Sequence, residues 1–157
     1  MSGSLGDWLG FLGRLAVGGA LVAAGALKAS APSQEFAVVI DAYRIVSPGA
    51  SLAIAAVLPW AELVVGFCLL LGDFTRPAAA AAGGLVASFV AALLSVKMRH
   101  MELPNCGCFG AAFHPSLGHA LAMDAVLFIL AYAAYSRGAR LWSWDRWASG
   151  PARERHG

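Results

Sequence analysis

The sequence predicts an all-α integral membrane protein, a four-helix bundle with a short interfacial helix in its first outer loop. Three observations predict it. Of 157 residues, 59% are hydrophobic and only 13% charged, and mean hydropathy is +0.69; a soluble domain of this size needs more charge to solvate its surface. Four apolar runs, roughly 8–27, 51–71, 77–96 and 117–135, each approach the ~20 residues that cross a ~30 Å hydrocarbon layer. None of them alternates like a barrel strand, and a backbone in lipid must satisfy its own hydrogen bonds, which leaves helices.

The first run carries a charge, Arg14, in an otherwise apolar stretch. Its end, "AGALKAS", offers the small residues of a signal-peptidase site. Asp7 is the only charge before Arg14, however, and the apolar stretch exceeds a signal h-region, so a retained span is expected. Loop 28–50 places Phe36, Val39, Ile40 and Tyr43 at helical spacing between Pro32 and the "SPG" turn. That pattern predicts a short amphipathic helix, either a lid over the bundle end or a plain connector. Pro59 in the second run and Gly83 and Gly84 in the third are compatible with membrane helices. The "AAAAAGG" stretch gives the third a small-residue face for close helix packing.

Orientation follows from arginine. Arg137, Arg140, Arg146, Arg153 and Arg155 follow the last run, a cytoplasmic signal that puts both termini inside and segments 28–50 and 97–116 outside. Residues 1–136 then form the membrane domain of an inner (plasma) membrane protein. Residues 137–157 form a basic cytoplasmic tail in which Trp142, Trp144 and Trp147 suit the lipid interface. A net charge of +2 and the lack of a separate basic region argue against nucleic-acid binding.

The chemistry-bearing stretch is "LPNCGCFGAAF", with Cys106 and Cys108 flanking Gly107 in the second outer segment. Three readings stay open. In an oxidising compartment the pair can exchange disulfides, and a strained or exposed bridge is the more oxidising kind. Two thiolates also suit a soft ion such as Cu(I) or Hg(II), with His100 and Met101 completing the site; their spacing matches no zinc pattern. A purely structural bridge is the third. His114 and His119 are candidates to lower a thiol pKa.

Charged residues within spans normally face the bundle interior and pair. The expectation is a structural Arg14–Glu62 pair, with Glu62 alternatively a proton-relay carboxylate. Asp124 is a candidate proton acceptor in the fourth span. It cannot share a small ligand with His119, since five residues separate their directions by about 140° on a helix. Cys68 reads as a small apolar core residue.

Taken together, "GRLAVGGALVAAGALK", "FAVVIDAYRIVSP", "LPWAELVVGFCLLLG" and "NCGCFG" resemble the MauE/DoxX-like family of redox-associated membrane proteins over about residues 10–135, and within it the methylamine-utilisation branch. The resemblance implies a four-span inner-membrane protein that supports maturation of the disulfide-rich methylamine dehydrogenase small subunit beside a thioredoxin-like partner. It implies Cys106 and Cys108 as the redox pair and Glu62 as the membrane carboxylate. By analogy with vitamin K epoxide reductase-type bundles, electrons would pass on to quinone. Those bundles carry a second cysteine pair in an outer loop, and loop 28–50 has none.

Overall fold

The computed structural model describes residues 5–100 and 117–137. These form five helices: α1 (Leu5–Ala29), α2 (Ser33–Ala42), α3 (Pro48–Leu71), α4 (Thr75–Met98) and α5 (Leu117–Arg137). All but α2 are long and apolar enough to cross a membrane. The helices α1, α3, α4 and α5 form a ring in that order, with α1 and α4 barely touching across its diagonal. Gly18 meets Gly66 while Gly25 meets Pro59, so α1 and α3 run antiparallel. The expected four-span helical bundle is what the chain forms.

The bundle closes where side chains are small. A Cβ on Gly66 would stand 2.9 Å from the Gly18 carbonyl oxygen, and one on Gly13 would stand 2.9 Å from that of Leu130. Glycine at these positions lets α1 approach α3 and α5 at backbone distance, the usual route to tight packing when lipid supplies no hydrophobic drive. Val17, Leu21, Leu69, Ala79, Ala82 and Ala131 fill the space between. Large apolar side chains such as Trp60, Val64, Phe67, Ile129 and Tyr132 lie on the outside, where lipid is their solvent.

The helix ends follow local chemistry. Ser47 is extended and Pro48 occupies the first turn of α3, where its missing N–H costs nothing. Gly72, at φ 72°, ends α3 in the left-handed region, and the Gly72 and Asp73 N–H groups both donate to the Cys68 carbonyl at 3.0 Å. Phe74, also left-handed at φ 47°, opens α4 directly. Three residues therefore join α3 to α4.

The helix expected in loop 28–50 is α2. It lies along α3, burying Phe36 and Ala37 against Ala55, with Val39, Ile40 and Leu58 packed around them. Ser51 on α3 donates a hydrogen bond to Asp41 Oδ1. From the end of α4, Arg99 donates to the carbonyls of Tyr43 (2.8 Å) and Arg44 (3.3 Å), and its Nε to that of Ser95 at 3.0 Å. One guanidinium thus caps two helix C-termini, the place where a cation meets both unpaired carbonyls and the negative end of the dipole. Tyr43 also packs with Leu93 and Val96 of α4 and Ala120 of α5. The C-terminus of α4 and the N-terminus of α5 therefore share the α2 end of the bundle.

Candidate functional site

Lys28 sits in the last turn of α1, yet only 2% of its surface is exposed. Its Nζ donates to Glu62 Oε1 at 2.6 Å, and neither side chain reaches the surface. The ammonium also lies 5.4 Å from the centre of the Phe36 ring and 5.2 Å from that of Phe89, distances at which a ring face attracts a cation. Three elements besides α1 thus converge on one charge: α2 through Phe36, α3 through Glu62 and α4 through Phe89.

The expected Arg14–Glu62 pair is corrected by this arrangement. Depth along the spans made the two compatible, but side-chain direction decides otherwise. Every helical Cβ leans toward the helix N-terminus. Lys28 on α1 therefore leans into the bundle, Glu62 on antiparallel α3 leans toward Lys28, and Arg14 leans away from Glu62. The Arg14 guanidinium is buried instead beside the Phe11 ring, 5.2 Å from its centre.

Asp124 on α5 is 3% exposed and lies within the field of Lys28. Glu62 Oε2 and Asp124 Oδ2 are both buried without a hydrogen-bond partner among the described residues. Among the described residues, this part of the bundle thus combines the buried Lys28 ammonium with two buried carboxyl groups, Glu62 and Asp124, each with an uncommitted acceptor oxygen that can hold or pass a proton. His119, one and a half turns from Asp124, is exposed, in keeping with the angular separation expected of the two. Cys68 is partly buried against the core cluster, as a small apolar residue would be. His100 is exposed just beyond α4.

Cys106, Cys108, Met101 and His114 lie outside the described residues, as does the tail from 138 onward. Among the described residues, no group of three His, Cys, Asp or Glu side chains comes together as a metal cage.

Next to the charged cluster, α2, α3 and α4 line an open-sided cavity of about 630 Å³. Its walls are almost wholly apolar, and they include the same Phe36 and Phe89 rings that cover Lys28. Arg44 and Arg99 border it at the bundle end, and Ile54 and Ser88 lie along its exposed side.

Sequence reasoning missed Lys28, Phe89 and Arg99. The signal for Lys28 was present: Val17, Leu21, Ala24 and Gly25 form the buried stripe of α1, and Lys28 falls on the next turn of that stripe. Ending the first span at residue 27 turned a buried residue into a loop charge.

These features define a multi-pass integral membrane helical bundle with a polar centre buried at one end. The chain belongs to the family of the methylamine utilisation protein MauE, whose model matches residues 6–137. It is similar to the methylamine utilization protein MauE of Paracoccus denitrificans, with 36% identity over 89 residues. That match covers 57% of this chain and 48% of the relative, so the chain spans about half the length of the protein it matches. No solved structure matches it.

Proposed function

We propose that this protein is a membrane thiol–disulfide redox protein of methylamine utilisation. It supports disulfide formation in a secreted client, of the methylamine dehydrogenase small-subunit type, together with a thioredoxin-like partner. It works in the inner membrane with both termini in the cytoplasm. One observation supports the reading: the last turns of α4 and the first turn of α5 pack with Tyr43 at the α2 end, the end that holds the buried Lys28–Glu62 pair, and Cys106 and Cys108 fall between those two helices in the sequence.

In this mechanism a partner thiolate attacks the Cys106–Cys108 disulfide and forms a mixed disulfide. The partner's second thiolate then displaces it. The partner loses two electrons and gains a disulfide, and Cys106 and Cys108 are left as thiols. Reoxidation transfers two electrons and two protons from the pair to a lipid-soluble acceptor of the quinone class, which becomes hydroquinone. Glu62 and Asp124, with His114 or His119 nearer to the thiols in sequence, are the groups proposed to handle those protons.

The test replaces both cysteines, Cys106→Ser and Cys108→Ser, and follows client disulfides by alkylation gel shift. Loss of client oxidation with unchanged membrane insertion is expected. Normal client disulfides in the double variant overturn the reading.

A further inference from the structure

The cavity between α2, α3 and α4 has an uneven polarity that the thiol chemistry does not use. From Arg99 at the bundle end to Phe89 on the same helix is about 15 Å at ~1.5 Å per residue. Over that depth the walls are mainly aliphatic and aromatic, with Phe36, Ile40, Ile54, Leu58 and Phe89, and with Ser88 and Ser95 as the hydroxyls. At the end where the helices stop, two arginines, Arg44 and Arg99, are among the residues that line it.

The two arginines differ. Four Arg99 hydrogen bonds go to Tyr43, Arg44 and both the carbonyl and hydroxyl of Ser95, which leaves one of its five N–H groups uncommitted. Arg44 is exposed, and its guanidinium makes no hydrogen bond or ion pair among the described residues. Its backbone has a φ of 51°, in the left-handed region where side-chain-bearing residues are uncommon and Gly or Asn is the easier choice. An arginine at that position places a cation with no side-chain partner among the described residues at the rim of an apolar well, beside the end of a helix long and apolar enough to cross a membrane.

We propose that this cavity is a binding site for an anionic phospholipid, with an acyl chain between α2, α3 and α4 and the phosphate on Arg44 and the remaining Arg99 donor. The charge complementarity favours this occupant. A guanidinium pairs with phosphate through parallel, charge-assisted hydrogen bonds, which an uncharged ring cannot offer, and a zwitterionic lipid brings a cation of its own to the exposed Arg44. The exposed side along Ile54 and Ser88 gives a chain in the bilayer lateral access. Because Arg99 also ties α2 to α4, an anion on the rim would bear directly on the element that covers Lys28. The inference is independent of Cys106 and Cys108.

The test is native mass spectrometry of the full-length protein in detergent with equal amounts of phosphatidylglycerol and phosphatidylcholine. The wild type should retain phosphatidylglycerol several-fold over phosphatidylcholine. Arg44→Gln should bring the two to parity, and Ser88→Trp, which obstructs the exposed side, should remove the bound lipid. Lys97→Gln, at the same bundle end but not on the cavity wall, should keep the preference. Parity in the wild type overturns the proposal, as does an unchanged preference in Arg44→Gln. An equal loss in Lys97→Gln, which reports general surface charge, does so too. Displacement of the lipid by an equal concentration of an uncharged short-chain quinone identifies a neutral-ring cleft and also overturns it.

Discussion

Lys28 Nζ and Glu62 Oε1 stand 2.6 Å apart inside the bundle, joining the last turn of α1 to the middle of α3. A pair of this kind contributes little net stability compared with an apolar pair of the same shape, but breaking it strands a charge. The Phe36 and Phe89 rings around the ammonium exclude the water that would otherwise rescue a stranded Glu62.

Lys28→Met should therefore destabilise the bundle by on the order of 3–5 kcal/mol. The double variant Lys28→Met, Glu62→Gln should recover much of that loss. Unfolding in detergent, read as a double-mutant cycle, measures the coupling. A cycle that sums additively contradicts the pairing.

The contact between α1 and α3 depends on the absence of side chains at Gly18 and Gly66. Gly66→Val should cost roughly 1–3 kcal/mol by overpacking, because its Cβ would meet the Gly18 carbonyl oxygen at 2.9 Å. Gly19→Ala and Gly83→Ala meet nothing within 4 Å and should leave thermal stability in detergent unchanged or slightly raised.

Arg99→Ala removes the donor shared by the ends of α2 and α4. The expected result is a local loosening: amide hydrogen exchange across residues 36–44 should accelerate while α1 and α5 keep wild-type protection. Uniform acceleration throughout the bundle would contradict a local clamp.

Cys68 is packed against the core cluster, as Val65 and Leu85 are, far in sequence from the proposed thiol pair. In intact reduced cells a membrane-impermeant maleimide should label the wild type through Cys106 and Cys108. It should fail to label the variant in which both are serine. Labelling that persists in that variant would place Cys68 in reach of water.

The spans were legible because lipid imposes a length and a composition that few other environments demand. The α2 helix was legible for a similar reason: Phe36, Val39, Ile40 and Tyr43 repeat at helical period, and the first three pack on or beside α3. The partner of Glu62 was not legible from depth alone. Arg14 and Lys28 lie at comparable distances along α1, and only the lean of the side chains toward the helix N-terminus separates them. The cavity was invisible to one-dimensional reasoning, because Phe36, Leu58 and Phe89 come from three elements whose divergence no local pattern encodes. The candidate thiols, by contrast, were read from spacing and resemblance, and their role rests on the experiments proposed for them.

The three-residue link from Gly72 to Phe74 has a consequence for biogenesis. With so short a connection, α3 and α4 should enter the bilayer together as one helical hairpin. Lengthening that link with a flexible polar insert should uncouple their entry into the bilayer, and it would do so at the end of the bundle opposite α2.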